Sequence, residues 1–470
     1  MKKLNQNTAL HDYLDILLGA DKETFLQASA EPRAIRINTL KMEADDFKKR
    51  LTKQGVEYRV LSFNTIGLEI VKDHIPLSHT IDFFLGYFHY QGIASQIPAL
   101  VLDVQPGQRV LDIAAAPGSK STQLAAMMHN KGILILNDLS HQRLQALNVN
   151  AQRAGIINQV ILNLAGERIS KIYPSWFDKV LVDAPCSALG TLAGSPEVAS
   201  WWSMEKLNKL CISQKQLLIS AYKALKVGGE LVYSTCSIAP EENEMLIDWI
   251  LDHYPLQVID IPKQPDFPGS AGMVAYRGQS FRSDLQKALR LYPHQHGTEG
   301  FFVIKLKKIA ETAWERPLPE AAFVPTLTWD DPTLLPLLQS ISEMWGIALP
   351  LWQNYRYRLT KDRIWLLYAG IEEIPQERLH NAGLLLAEKR LSGWKLTNQS
   401  TQYFDQSISK RRITLDETNL VRLFEQGTIT NPGLTDGYYT LEWDNTLIAS
   451  VYCDPNLLKL RLPHSFRLHL

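Results

Sequence analysis

The chain has 470 residues, 45% hydrophobic and 21% charged, a composition that excludes a disordered or fibrous protein and predicts two to four packed domains. Its 49 basic and 49 acidic residues cancel, so no global charge draws it to nucleic acid and any such contact must be local. Four cysteines exclude a disulfide framework, no apolar run is long enough to span a bilayer, and the polar start Met1-Lys2-Lys3-Leu4-Asn5 lacks the core of a secretion signal, so a reducing, cytoplasmic setting without a membrane is expected.

Residues 1–90 mix helix and strand signals. Leu10 to Leu26 has helical periodicity, Arg33 to Leu40 alternates polar and apolar residues as a half-buried strand does, and Phe47 to Gln54 reads as a helix capped by Gly55. From about 91 to 310 strands and helices alternate. Strands are predicted at Arg109–Asp112, Gly132–Leu136, Val160–Leu162, Lys179–Val182 and Glu230–Tyr233. Helices are predicted at about Ser119–His129, Ser140–Ala154 and Met204–Leu225, the last stopping at Gly228-Gly229. This order predicts an α/β fold with a doubly wound, mostly parallel sheet, whose ligands bind at the carboxyl ends of the strands. Asp112, Asp138, Asp183, Cys186 and Cys236 all follow strands and share that edge. Prolines and acidic residues crowd 308–336, which reads as a linker or boundary. Beyond it a small α/β segment to about 390 is followed by short strands over 391–470, with a hairpin signal at Asp444-Asn445-Thr446.

Two local sequences carry chemistry. The first strand ends in a loop of small residues, Ala114, Ala115, Ala116, Pro117 and Gly118, and a helix opens at Ser119 and Lys120. Small residues admit a ligand close to the backbone, and Asp138 after the next strand is placed to meet a ribose. The loop is neither GxGxxG nor a Walker sequence, so a nucleoside with little phosphate, such as S-adenosylmethionine, suits it. A structural turn accounts for this loop equally well. The second feature is a pair of cysteines, Asp183-Ala184-Pro185-Cys186 and Ser234-Thr235-Cys236. Carbon 5 of cytosine is a poor nucleophile until a thiolate adds to carbon 6. A proton donor near N3 and a group that helps release must then complete the reaction. Asp183 and the two thiols could supply these roles. A lone cysteine after a strand is more often a small buried residue, but the pair beside a carboxylate reverses that balance.

With those residues in view, the chain resembles the NOL1/NOP2/Sun family of RNA 5-methylcytosine methyltransferases, and within it the bacterial ribosomal RNA, RsmF-like branch. The matching stretches are Arg36 to Lys41, Tyr90 to Ser95, Ala114 to Lys120, Asp183 to Ser187, and Val232 to Ser237 followed by Glu241 to Glu244. The resemblance implies a Rossmann-like methyltransferase domain over 91–310, an N-terminal α/β RNA-binding domain over 1–90, a linker and small α/β domain over 311–390, and a PUA-like RNA-binding domain over 391–470. It implies Cys236 as nucleophile, Cys186 as the residue assisting release, and Asp183 as the carboxylate near methyl donor and base. It makes Ala114 to Lys120 with Asp138 the S-adenosylmethionine site, and Arg36, Asn38 and Lys41 RNA contacts. The implied substrate is small-subunit (16S) ribosomal RNA, acted on by a monomer that needs no metal. Transfer RNA is the alternative substrate.

The pattern departs from the family at Ala165, where an acidic residue is usual and Glu167 stands two positions on, and at Ala193-Gly194, where a basic pair is usual. These departures motivate a second alternative, an RNA-binding ribosome assembly factor on the same fold without catalysis. Lys410-Arg411-Arg412, with Tyr403 and Phe404 upstream, is a further candidate RNA contact but reads more readily as a solvated loop. Trp201-Trp202 and Cys211 read as core.

Overall fold

The structure is a computed structural model that describes residues 7–262, 266–313, 322–391 and 393–461. The polar start at Met1 to Gln6, part of the proline-rich boundary at 314–321 and the end of the expected PUA-like region at 462–470 lie outside the described residues.

A short helix α1 (Thr8–Leu18) opens the chain, and helix α2 (Ala44–Lys53) packs on an antiparallel sheet of β1 (Ala34–Ile37), β2 (Glu57–Leu61), β3 (Asn64–Lys72) and β4 (Phe88–Tyr90) in the order β2-β3-β1-β4. The central sheet follows. Its parallel strands are β5 (Arg109–Asp112), β6 (Ile133–Asn137), β7 (Gln159–Leu162), β8 (Phe177–Asp183) and β9 (Leu225–Thr235). Antiparallel strands β10 (Leu256–Val258), β11 (Ser270–Ala271), β12 (Leu289–Leu291) and β13 (Phe301–Lys308) complete one side. The ten-stranded sheet runs β11-β12-β13-β9-β8-β5-β6-β7 and ends on Leu379–Ala382, with β10 beside β13.

The parallel strands are apolar on both faces, as a sheet covered by helices on both sides requires. Leu111, Val180 and Tyr233 face one core, and Val110, Leu181 and Val232 face the other. Helices α3 (Ser119–Met127), α4 (His141–Ala154), α5 (Met204–Ala224) and α6 (Glu244–His253) connect the strands. Helix α4 starts where the Ser140 hydroxyl accepts from the Arg143 amide and ends at Gly155 in the left-handed region, as its sequence predicts. Because β5 lies between β6 and β8, chain direction across the sheet reverses there, and the carboxyl ends of β5 and β8 flank the crevice where such sheets bind ligands. This is the Rossmann-like architecture expected.

Three features differ from the sequence reading. First, β9 begins at Leu225 and runs through Gly228-Gly229, so the glycines lie inside a strand rather than after a helix. Second, Leu379–Ala382, far along the chain, extends the central sheet by pairing antiparallel with β7. Third, β1 is buried on both faces. Ile35 and Ile37 share a core with Leu441 and Ile448 of the C-terminal sheet and with Leu420 of the helix Glu417–Gln426, while Arg36 on the opposite face reaches the central domain. The N-terminal sheet and the last 50 described residues therefore pack on one another, and α1 packs instead on Leu189, Trp202 and Ile238 of the central domain. Two smaller sheets close the chain. One contains strands from Tyr355 to Leu396 and the other strands from Arg412 to Lys459, including the expected hairpin Gly437–Trp443 with Thr446–Cys453. No helix among the described residues is long and apolar enough to cross a membrane.

Arg36, Asn38 and Lys41, expected to face RNA, are engaged by partners within the fold. Arg36 is fully buried, donating from Nε to Gln91 Oε1 at 2.7 Å and from Nη2 to Thr122 Oγ1 at 2.8 Å, which ties β1 to α3. Asn38 donates to the carbonyls of Gly86 and Ala154 at 2.8 and 3.1 Å, and Lys41 Nζ donates to Leu85 O at 2.6 Å and Gln402 Oε1 at 2.8 Å. Alternation marks a strand with two different faces, but it does not reveal that a second domain covers the polar one. The Arg36→Ala chain is expected to lose about 3 kcal/mol of stability, because buried Gln91 and Thr122 lose their donor. Urea unfolding checks this, and an unchanged midpoint would place Arg36 at the surface.

Candidate active site

The carboxyl edge of the sheet gathers the side chains that the sequence singles out. The loop after β5 turns at Gly118, whose φ is 106°, and an added Cβ there would lie 2.7 Å from Leu147 Cδ1 on α4. Glycine alone suits that position, and it lets α3 begin close against α4 with Ser119 and Lys120 in its first turn. Asp138 follows β6 and is almost fully buried. Its Oδ2 accepts from the Ala116 amide at 3.2 Å and its Oδ1 from the Ser140 amide at 2.9 Å, with Arg143 Nη1 3.4 Å away. Asp112 ends β5 and accepts from Ser121 Oγ at 2.7 Å through Oδ2, while its Oδ1 is buried without a partner among the described residues. Asp183 ends β8. Its Oδ1 accepts from Ser234 Oγ at 2.7 Å, and its Oδ2 lies 2.8 Å from Lys120 Nζ, which also donates to Ser95 Oγ at 3.0 Å.

Lys120 and Arg143 are each engaged by one of these carboxylates, so neither is left to pair a phosphate. The unpartnered Asp112 oxygen needs a donor, and a ligand ammonium is one. With the small-residue loop and the Asp138 carboxylate, this set fits a nucleoside that carries positive charge and no phosphate, which describes S-adenosylmethionine. Burial pushes the Asp112 carboxyl up to about 7, the Ser121 hydrogen bond opposing and Asp183 adding to the rise. Lys120 is held above its ordinary pKa, because Asp183 outweighs the lowering effect of its burial.

The two cysteines meet across β8 and β9, which pair in parallel with Asp183 opposite Ser234. Cys186 Sγ and Cys236 Sγ are 3.3 Å apart, both partly accessible. The contact with Cys236, then burial, then the nearby Cys236 and Glu242 charges hold the Cys186 thiol well above its ordinary pKa, so it keeps its proton at neutral pH.

What fixes this meeting is a residue whose importance no strand-end pattern reveals. Glu242 is fully buried beneath both cysteine loops. Its Oε1 accepts from the Ser187 amide at 2.8 Å and from Gln214 Nε2 at 2.9 Å, and its Oε2 accepts from the Ser187 hydroxyl. Ser187 Oγ is in turn 3.0 Å from Ser237 Oγ. One carboxylate thus binds the residue after Cys186 and, through a hydroxyl, the residue after Cys236. Asn243 adds bonds to Thr235 Oγ1 at 2.7 Å and Ser237 O at 2.9 Å, and Glu244 pairs with buried Arg290 at 2.6 Å. Gly190 closes the same loop against Gly300, where an added Cβ would fall 2.0 Å from the Gly300 carbonyl oxygen, and its amide donates to Cys236 O at 3.0 Å.

Other candidates fall elsewhere. Glu167 is exposed and Trp202 is core. Tyr403 and Phe404 pack with Tyr355, and Arg412 pairs with Glu442 at 2.9 Å, so these three serve packing rather than an open basic loop.

The chain matches the family model described as 16S rRNA methyltransferase RsmB/F over residues 99–307. It is 33% identical over 390 residues to the ribosomal RNA small subunit methyltransferase F of Escherichia fergusonii, covering 80% of this chain and 78% of that one. It is 36% identical over 299 residues to the 26S rRNA (cytosine-C(5))-methyltransferase nsun-1 of Caenorhabditis elegans, covering 62% of this chain but only 45% of the nematode protein. Among solved structures, NSun6 from Pyrococcus horikoshii with SFG, an S-adenosylmethionine analogue, superposes with a TM-score of 0.56 at 25% identity, over 65% of this chain and 98% of that one.

Replacing Glu242 by Ala is expected to cost about 3 kcal/mol, since three buried donors lose their acceptor, and to speed alkylation of Cys186 and Cys236 by iodoacetamide as both loops loosen. A stability loss with unchanged alkylation would contradict this role. A second expectation concerns pH. The folded pKa of Asp112 is raised, so its contribution to stability is full below the unfolded value near 4 and is lost as pH rises through about 7. Asp112→Asn removes that loss. Relative to the unaltered chain, the variant is expected to gain on the order of 2 kcal/mol between pH 5 and pH 8, measured by urea unfolding without added nucleoside. A parallel pH dependence of the two proteins would contradict it.

Proposed function

We propose that this chain, which belongs to the 16S rRNA methyltransferase RsmB/F family, methylates carbon 5 of a cytosine in small-subunit ribosomal RNA. Family membership makes it an RNA methyltransferase. The observation that carries the finer reading is the pair of thiols 3.3 Å apart beside the Asp183 carboxylate. S-adenosylmethionine supplies the methyl group when bound. Ala114 to Lys120 and Asp138 hold its nucleoside part, and Asp183 lies toward the methyl donor and the base. In this reading the enzyme works as a monomer in the cytoplasm, and the regions at 1–90 and 391–470 bind RNA.

Carbon 6 is accessible only from the face of the base, so the target cytosine leaves its stack to enter the site. Cys236 adds to carbon 6. The electron pair of the C5–C6 bond is drawn toward N3, which takes a proton, and carbon 5 becomes an enamine carbon able to accept a methyl group. Asp183, held between Lys120 and Ser234, faces the reacting edge of the base and stabilises the N3 proton. With the methyl group on carbon 5, a base removes the carbon 5 proton, the C5–C6 double bond re-forms, Cys236 departs as thiolate, and N3 gives up the proton it took.

The Thr-Cys and Pro-Cys contexts supply the ranking of the thiols, with Cys236 attacking as thiolate and Cys186 assisting release. The contact with Cys236 raises the Cys186 pKa, which is consistent with Cys186 keeping its proton while Cys236 attacks. Once Cys236 is bonded to carbon 6, its contact no longer holds the proton on Cys186. Cys186 gives that proton to solvent, and the resulting thiolate accepts the carbon 5 proton.

The test is trapping on RNA. Cys186→Ala is expected to accumulate a protein–RNA adduct stable to denaturing electrophoresis, with turnover lowered at least 100-fold. Cys236→Ala is expected to form none while still binding S-adenosylmethionine. Trapping by Cys236→Ala instead would exchange the two roles. Failure of the unaltered chain to bind S-adenosylmethionine at millimolar concentration would favour a non-catalytic RNA-binding factor.

A further inference from the structure

A cleft of about 850 Å³ opens between the two C-terminal sheets, sharing no lining residue with the thiol site. Lys389, Arg390 and Lys395 line it from one sheet, and Lys459 and Arg461 from the other. Asp362 is the one carboxylate among the lining residues. In a chain of zero net charge, five cations around one cleft are a local concentration that composition does not predict. Two are partly neutralised, Arg390 by Glu388 and Lys459 by Asp454 at 2.5 Å. Burial lowers the Lys395 pKa against the opposing pull of Glu388, and the nearby Arg390 and Arg461 add to the lowering.

The floor adds two kinds of contact. Tyr438 and Tyr452 stand opposite one another on paired strands, ring centres 5.0 Å apart, and both line the cleft. Two residues before Tyr452, on the same face of its strand, Ser450 is 2% exposed, and its hydroxyl has no hydrogen-bond partner among the described residues although it lines the cleft. Cations for phosphates, rings for base faces and an unused hydroxyl together suit a nucleic acid strand whose bases are unpaired. A duplex hides its base faces and would not use the tyrosines, and an acidic peptide would use the cations alone.

We infer that this cleft binds a single-stranded segment of the substrate RNA, outside the nucleotide that enters the thiol site. The inference rests on the chain acting on RNA. It assigns RNA affinity to Lys389, Lys395 and Tyr452, and not to Arg36, Asn38 and Lys41.

The experiment uses the full chain and a 12-nucleotide single-stranded RNA without cytosine, which cannot supply the target base. Binding is measured by fluorescence anisotropy across a range of KCl concentrations. Lys389→Gln with Lys395→Gln is expected to weaken binding at least about tenfold and to lower the slope of log affinity against log salt by about 1.4, two phosphate contacts at about 0.7 each. The charge-keeping pair Lys389→Arg with Lys395→Arg is expected to retain the slope. Tyr452→Leu is expected to weaken binding about tenfold with the slope unchanged. Each variant combined with Cys186→Ala should still form the Cys236 adduct on a saturating concentration of short RNA that contains cytosine, which separates this outcome from failure of the methylation reading. Three results would overturn the inference. They are unchanged affinity and slope in the Gln pair, equal binding of a duplex with no effect of Tyr452→Leu, and equal displacement by polyglutamate.

Discussion

A single buried carboxylate holds the catalytic edge together. Glu242 accepts from the amide and hydroxyl of Ser187 and, through that hydroxyl, reaches Ser237, so the residues after Cys186 and Cys236 answer to one group. A carboxylate taken out of water is costly unless donors surround it, and here Ser187 and Gln214 supply them. The constraint runs both ways. The donors keep the carboxylate tolerable in the interior, and the carboxylate keeps two loops from different strands at a fixed spacing. Two thiols at 3.3 Å follow from that spacing. The same contact raises the pKa of Cys186.

Around this knot the parallel sheet performs a simpler task. Strands β5 and β8 deliver Asp112 and Asp183 to the point where the sheet reverses direction, and β6 delivers Asp138 beside them. Lys120 at the start of α3 faces Asp183 rather than a phosphate. The pairing of β8 with β9 then carries the same edge sideways to the thiols.

Much of this was legible in the sequence, for a physical reason. Short apolar runs ending in Asp or in Pro-Cys and Thr-Cys are local patterns, and a parallel sheet puts the end of every such run on one edge. The parts that were not legible depend on contacts distant in sequence. Glu242 lies 55 positions from Ser187, and nothing local says which buried donors it meets. Arg36 follows a half-exposed strand pattern, yet α3 covers its polar face and the C-terminal sheet its apolar one. Gly228-Gly229 read as a helix stop, but the helix ends earlier and the strand absorbs both. The cationic cleft draws Asp362, Lys395, Tyr438 and Arg461 from four separate segments, whereas the compact basic run at 410–412, visible at once in the sequence, is taken up in part by ion pairs and packing.

The central claim is that the two thiols have different jobs, with Cys236 attacking the base. RNA in which 5-fluorocytosine replaces cytosine tests it most directly. After methylation carbon 5 carries no proton to remove, so the attacking cysteine stays bonded to carbon 6. Incubation of the unaltered chain with this RNA and S-adenosylmethionine, followed by proteolysis and mass spectrometry, identifies the bonded residue. The account predicts a nucleotide linked to the peptide containing Cys236, with Cys186 unmodified. A nucleotide linked to Cys186 would contradict it.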